Sequence, residues 1–344
     1  GTSVAEYAFT FEDEQTTVEL SKADLTDKKE LPGASLKVTD EDGNTVDEWV
    51  SKEEAHIIKG LIVGKKYKMT ETKPADGYVT AESIEFTVEN TKEVQKHQML
   101  DDVTKVEISK KDIADSSEVP GAKLIILDKD GKKVESWTST DKPHMVEKLP
   151  VGEYTLREEQ APDGYLIAED VKFTVKDTGK VQKVKMKDAH PYGKLVIKKT
   201  DSTSKAALPG AEFELREKEN GKVVEKLVTD KTGTATSGKI PIATYKNGKV
   251  EKTVEYILVE TKAPNGYELS NKKEEIRFEY KDGKTKVIEI VKEIKNTKSP
   301  SGSTPTGNSP KTGDSTNIWL PILLAVLSAC GIGGVIWYKK KKGN

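Results

Sequence analysis

Lysine, glutamate and a terminal aspartate or asparagine recur in this sequence inside otherwise apolar rows. Side chains on a strand alternate between faces. On that rule Val18, Leu20 and Lys22 share one face, as do Val106, Ile108 and Lys110, and Leu195, Ile197 and Lys199. Further along, Tyr67, Met69 and Glu71 align, then Tyr154, Leu156 and Glu158, then Tyr256, Leu258 and Glu260. A last strand sets Met99 with Asp101, Met186 with Asp188, and Ile294 with Asn296. Asp102 competes with Asp101, and the register favours Asp101. The lysine stands 10 residues before a proline each time, 22 to 32, 110 to 120 and 199 to 209. Glutamate to final Asp is 30 residues in the first two sets, and Glu260 to Asn296 is 36.

Burying a lone ammonium or carboxylate costs several kcal/mol, so something must compensate. One answer is a buried Lys–Glu–Asp ion-pair network. The other is a covalent bond. Desolvation favours the neutral amine and the neutral carboxylic acid. A neutral amine is a nucleophile, and a protonated carboxyl can polarise a neighbouring acyl group and shuttle protons. The product would be an uncharged Lys–Asp or Lys–Asn isopeptide, with water leaving from Asp and ammonia from Asn. The residues alone leave both answers open.

The elements that position these groups repeat with a period of about 88 residues. Leu31-Pro32-Gly33-Ala34, Val119-Pro120-Gly121-Ala122 and Leu208-Pro209-Gly210-Ala211 match. So do Gly77-Tyr78, Gly164-Tyr165 and Gly266-Tyr267. Pro74 precedes Ala75, whereas Ala161-Pro162 and Ala263-Pro264 have the other order, which leaves the first turn open. Trp49 and Trp137 correspond; the third unit lacks this Trp and is longer around Ile240–Val254, where Asn247-Gly248 signals a two-residue hairpin. Short alternating runs split by Asp42-Gly43, Asp130-Gly131 and Asn220-Gly221 predict an all-β chain of tandem Greek-key β-sandwiches. The Asp40-x-Asp42-Gly43-Asn44 run lacks EF-hand spacing and reads as a turn rather than a calcium site. The expected domains are 16–102, 103–190 and 191–297, after a remnant of an upstream unit at 1–15. His190-Pro191-Tyr192-Gly193-Lys194 reads as a joint between domains.

Composition narrows the function. The 344 residues are 33% charged and only 6% aromatic, so cores must be small and several. The 56 basic and 58 acidic residues nearly cancel, which gives no field for nucleic acid. The one cysteine, Cys330, excludes an internal disulfide, and four scattered histidines make a metal or His-dependent active site unexpected. No cofactor or turnover enzyme is expected. The 21 uncharged residues Ile318–Tyr338, followed by Lys339–Lys342, predict one C-terminal transmembrane helix with a cytoplasmic tail. Before it, residues 298–313 are rich in Ser, Pro, Gly and Thr and read as a disordered, wall-spanning linker. The N-terminus carries no signal peptide, so a fragment or processed chain is expected.

Ser309-Pro310-Lys311-Thr312-Gly313, the apolar stretch and the basic tail together resemble the Leu-Pro-x-Thr-Gly sorting signal of Gram-positive surface proteins. The resemblance implies that a sortase cleaves Thr312–Gly313 and joins Thr312 to an amine of peptidoglycan or a pilin. The membrane span would then be transient; Ser309 replaces the family's Leu. The three units resemble collagen-adhesin B-type domains, SpaA-like and prealbumin-like. The resemblance rests on the Lys-x-Asp openings (Lys22-Ala23-Asp24, Lys110-Lys111-Asp112, Lys199-Thr200-Asp201), the Pro-Gly-Ala motifs and the Tyr-x-Leu/Met-x-Glu…Gly-Tyr motifs. It implies isopeptides Lys22–Asp101, Lys110–Asp188 and Lys199–Asn296, promoted by Glu71, Glu158 and Glu260. The expected function is a secreted, peptidoglycan-anchored stalk presenting a distal adhesive region. Alternatives are a minor or basal subunit of a sortase-assembled pilus, or an adhesin binding host matrix protein directly. Major pilins of this type usually carry a Tyr-Pro-Lys-like motif, and the order at 190–194 differs from it.

Overall fold

The computed structural model describes residues 14–300. Every element assigned in them is a β-strand. The first unit contains β1 (Thr17–Asp24), β2 (Ser35–Thr39), β3 (Thr45–Val50), β4 (His56–Lys59), β5 (Lys66–Lys73), β6 (Ile84–Thr87) and β7 (Gln95–Asp101). The second contains β8 (Lys105–Asp112), β9 (Lys123–Asp128), β10 (Lys133–Thr138), β11 (His144–Glu147), β12 (Gly152–Gln160), β13 (Val171–Val175) and β14 (Gln182–Asp188). The third contains β15 (Tyr192–Asp201), β16 (Glu212–Glu217), β17 (Val223–Val228), β18 (Thr234–Thr236) and β19 (Ile240–Pro241). It continues through β20 (Ala243–Lys246), β21 (Lys249–Thr253), β22 (Glu255–Lys262), β23 (Glu274–Arg277) and β24 (Val287–Asn296). The expected transmembrane segment and the Ser309–Gly313 motif lie outside the described residues.

Each unit is a sandwich of two sheets. In the first, β4-β1-β7 packs on β3-β2-β5-β6; in the second, β11-β8-β14 packs on β10-β9-β12-β13. The third has β17-β16-β22-β23 opposite a sheet of β18, β15, β19 and β24. Inward residues of both sheets make one core per unit, such as Val18, Leu20, Leu36, Val38, Met69 and Met99 in the first. The alternating pattern of β2, half-buried then buried, is the period-2 signature of a strand with one face on a core.

The pairing of first and last strands positions the chemistry. β1 runs parallel to β7, β8 to β14 and β15 to β24. Neighbours by tight hairpin would be antiparallel; a parallel pair needs the rest of the unit as its connection. The register sets Asp24 beside Asp101, Asp112 beside Asp188 and Asp201 beside Asn296. Opening lysine and closing acyl residue therefore meet at the same end of the sheet.

Several local features refine the sequence reading. The Gly-Tyr turn is the same in all units: Tyr78, Tyr165 and Tyr267 amides donate to Ala75, Pro162 and Pro264 carbonyls at 3.0, 3.1 and 3.1 Å. The inverted Pro-Ala order thus leaves the turn unchanged. The Asp40 carboxylate accepts the amides of Asp42 and Asn44 at 3.0 and 2.8 Å, closing a hairpin turn with Gly43 at φ +84°. The joint expected over 190–194 is shorter than the sequence implied. Tyr192, Gly193 and Lys194 already belong to β15, where they pair with β24. Gly193 sits there because a Cβ would stand 2.5 Å from the Phe278 ring.

The missing tryptophan of the third unit is compensated by its neighbours. Trp49 lies across from Leu36, and Trp137 across from Leu124; both half-buried indoles stack on a histidine, His56 at 4.1 Å and His144 at 4.4 Å. At the same register the third unit has Leu227 across from Phe213, and Ala235 where the histidine stood. A larger residue on β16 fills the space that Trp and His occupy elsewhere. Leu227 is buried at 5% exposure, so Leu227→Ala should destabilise this unit by about 2–5 kcal/mol. In calorimetry of the full chain, the transition that includes the third unit should move down while that of the first unit stays.

Candidate functional site

Three equivalent sites lie in the sandwich interiors. Lys22, Lys110 and Lys199 are 1%, 2% and 0% exposed, an extreme for a residue type almost never buried unless paired. Their partners are as dry: Glu71, Glu158 and Glu260 at 4%, Asp101 and Asp188 at 0%, Asn296 at 2%. All nine predicted residues come together, three to a site.

In the first unit Lys22 Nζ donates to Asp101 Oδ1 and lies 2.9 Å from Glu71 Oε1. In the second, Lys110 Nζ donates to Asp188 Oδ1 and lies 3.1 Å from Glu158 Oε2. In the third, Lys199 Nζ donates to Asn296 Oδ1 and lies 3.0 Å from Glu260 Oε1. Each amine thus touches one acyl oxygen and one glutamate. Asp102, the competitor, points elsewhere and pairs with Lys105 at 2.8 Å.

A backbone amide aims each glutamate. Ala81, Ala168 and Ser270 donate to Oε2 of Glu71, Glu158 and Glu260 at 2.6, 2.6 and 2.9 Å. These positions gave no sequence signal, because the interaction uses no side chain. In the third site Asn296 Nδ2 donates to both oxygens of Glu260, at 3.0 and 3.1 Å. In the first two sites Asp101 Oδ2 and Asp188 Oδ2 stand in place of that nitrogen. They have no hydrogen-bond partner among the described residues, nor has Glu158 Oε1, while Glu71 Oε1 faces only the Lys22 ammonium at 2.9 Å. Two buried carboxyls can satisfy each other only if one carries a proton.

The titration behaviour agrees. Burial, offset by the lysine and reinforced by the neighbouring glutamate, raises Asp101 from 3.8 to about 7, and Asp188 likewise to about 7. Burial also holds the Lys199 ammonium below its ordinary value, against the pull of Glu260. In the first two sites burial favours the protonated acyl acid, and in the third it favours the neutral amine.

A second set of residues carried a motif but no assigned role. The aspartate of each Lys-x-Asp opening accepts the hydroxyl of the Gly-Tyr tyrosine: Tyr78 to Asp24 at 2.7 Å, Tyr165 to Asp112 at 2.7 Å, Tyr267 to Asp201 at 2.9 Å. Burial alone would raise Asp24, but Tyr78 and the Thr26 amide bring it to about 2. The pair ties the end of the lysine-bearing strand to the turn after the glutamate strand. Buried hydroxyls fix the Pro-Gly-Ala loop: Ser51, Ser139 and Thr229 donate to Leu31, Val119 and Leu208 carbonyls at 2.6, 2.7 and 2.8 Å. The signal was available, since each hydroxyl stands two residues after Trp49, Trp137 or Leu227. Among the described residues no group of His, Cys, Asp and Glu is placed to hold a metal ion.

Comparisons with known proteins place the three units in a family. No curated protein matches the chain. Among solved structures the chain is similar to the Bacillus anthracis TIE protein, with 28% identity and a TM-score of 0.55, covering 83% of this chain and 52% of that one. It therefore spans about half the length of that relative. It also aligns with BcpA, the major pilin subunit of Bacillus cereus, at 19% identity and a TM-score of 0.49, covering 83% of this chain and 100% of that one. The full-length major pilin SpaD of Corynebacterium diphtheriae aligns at 18% identity and 0.38, covering 85% and 99%. The model of the SpaA prealbumin-like fold domain matches residues 16–102, 104–190 and 193–294. With those three matches spanning most of its length, the chain belongs to the SpaA prealbumin-like domain family.

Proposed function

We propose that the chain is a cell-wall-anchored surface protein whose three units form a stalk, each locked by a self-formed isopeptide bond. The observation that carries this reading is the lysine Nζ set against an acyl group in a dry interior, with a glutamate beside it, three times over. In the first two sites the lysine passes a proton to the glutamate, and the free amine attacks Cγ of Asp101 or Asp188. The glutamate then returns a proton to the departing oxygen; an N–H and a C–O bond break, a C–N bond forms, and water leaves. In the third site Lys199 attacks Cγ of Asn296. Glu260 first takes a proton from the Lys199 ammonium and passes it to Nδ2, which already lies on it; the C–Nδ2 bond breaks, ammonia leaves, and Glu260 takes the proton released by the new amide nitrogen. The fold supplies proximity, and no cofactor takes part.

Attachment to the wall rests on the sequence. A Ser-Pro-Lys-Thr-Gly run, an apolar stretch and a basic tail in that order support transfer of Thr312 by a sortase to a peptidoglycan amine. The distal region this stalk presents would lie upstream of the units.

Intact-mass measurement of the denatured chain tests the bonds. The expected deficit is about 53 Da relative to the residue sum, from two waters and one ammonia. Glu71→Ala, Glu158→Ala and Glu260→Ala should each restore one increment of about 17–18 Da. A chain weighing the sum of its residues would end the isopeptide reading. Recovery of the chain in a covalent high-mass ladder would make it a pilus subunit rather than a lone stalk.

Bonds between residues 79, 78 and 97 apart should each stabilise their unit by about 4–5 kcal/mol if loop-closure entropy governs. A pH dependence should appear when the amine is removed. In Lys110→Met the Glu158–Asp188 pair remains without its cation. Asp188 is raised from 3.8 to about 7 even with the cation present, and loss of the cation moves it further up. The folded state then keeps a proton that the unfolded state releases, so stability falls as pH rises from about 4 through 7 and above. The melting temperature of the second unit should be lower at pH 8 than at pH 5 in this variant.

A further inference from the structure

The insertion of the third unit forms a two-stranded sheet, β20–β21, that pairs with neither sheet of its own sandwich. Lys246 faces Lys249 across Asn247 at φ +51° and Gly248 at φ +69°, the left-handed pair that a tight two-residue hairpin requires. Its contacts point into the second unit. Tyr245 Oη donates to the Gly164 carbonyl at 2.8 Å. The Tyr245 ring stacks on His190 at 3.5 Å and 2°, and meets the Tyr165 ring edge-on at 5.2 Å. The hairpin tip lies so close to the second unit that a Cβ on Gly248 would overlap the Glu118 carbonyl. On the other side, a Cβ on Gly164 would overlap Val250. Two neighbouring contacts extend the seam: Tyr280 Oη donates to the Tyr165 carbonyl at 3.0 Å, and the Ile167 amide to Gly283 at 2.8 Å.

The place it covers is specific. Val119, Ala161 and Tyr165 form a buried cluster apart from the main core of the second unit, and Tyr245 completes it from the third. Tyr165 is fully buried and holds Asp112, while the Val119 amide donates to the Lys110 carbonyl at 2.8 Å. The equivalent end of the first unit is closed differently. There Val103 of the following linker completes the cluster around Tyr78, and Lys148 Nζ reaches the Tyr78 hydroxyl at 2.6 Å.

We propose that the β20–β21 hairpin is an inter-unit clamp: it fits the groove between Val119 and Gly164 and makes the second and third units one mechanical body. The glycines at both contact points, the stacked aromatic and the shared cluster are the marks of a permanent interface rather than a passing touch.

The test uses the full chain with Tyr245→Ala and, separately, with Val250→Asp, an exposed hairpin position that leaves the cores of both units intact. Hydrogen exchange of the Tyr165–Ile167 amides should accelerate about tenfold or more in each variant. Exchange of Val79 and Thr104 at the first joint, and of β22, should not change. In a Cys330→Ser background, spin labels at exposed Lys129 and Lys231 should give one narrow distance that broadens in both variants. Unchanged exchange and an unchanged distance distribution in both variants would overturn the clamp, as would a broad distribution in the unsubstituted chain.

Discussion

A buried amine is the constraint from which most of this structure follows. An ammonium cannot sit in a sandwich core without something to take its charge, its proton or both. Each lysine here emerges from an apolar row of the opening strand, so the chain must bring acceptors to it from elsewhere. It does so through the parallel pairing of first and last strands, which sets the closing acyl residue beside the lysine-bearing strand at its C-terminal end. The glutamate arrives from the opposite sheet, on the central strand that pairs with β2, β9 or β16. Neighbouring motifs serve the same end. The Asp–Tyr pair anchors the end of the lysine strand, and the buried Ser or Thr holds the loop that follows it.

The position of the acyl group also determines how load would travel. Force applied to the chain ends enters a unit at its opening strand and leaves from its closing strand. Without a bond, the two parallel strands resist as a sheared ladder of hydrogen bonds. With the proposed bond, the covalent path in the first unit runs from residue 17 to Lys22 and crosses directly to Asp101. Strands β2 to β6 then lie outside the path and need supply only the dry interior in which the bond forms. With that bond, small cores with few aromatic residues and no disulfide would suffice for a load-bearing element.

Much of this was legible because a strand repeats with period two. The alternation picked out Lys22, Glu71 and Asp101 as one inward set, and preferred Asp101 to Asp102, without knowledge of any contact. The repeat then multiplied one reading by three. What the sequence could not supply was interaction through the backbone. The amides of Ala81, Ala168 and Ser270 orient the glutamates, and no side-chain pattern encodes them. The inverted Pro-Ala order looked like a different turn because proline is conspicuous. The turn depends instead on the carbonyl two residues before a glycine at positive φ, which all three units share. The exchange of Trp and His for Leu and Ala was visible only as a loss, since its compensation by Phe213 lies on another strand.

Asn247-Gly248 marks the limit of local reading most plainly. The dipeptide announced a hairpin, and a hairpin forms. Its destination depended on surfaces some 80 to 130 residues away, where Gly164 meets Val250 and Glu118 meets Gly248. The first joint reaches a comparable end with different chemistry: Lys148 bridges Asp24 and Tyr78, and Thr80 bonds Asp177 at 2.7 Å. Both joints use the Asp–Tyr pair that closes each unit, so the feature that ends one sandwich also receives the next. The third unit carries the same pair, Asp201 and Tyr267 at 2.9 Å, with the aspartate buried and the tyrosine half-buried. The cross-links and the joints are therefore built from one piece of sequence, because the Lys-x-Asp opening supplies the amine to the interior and the carboxylate to the end of the unit.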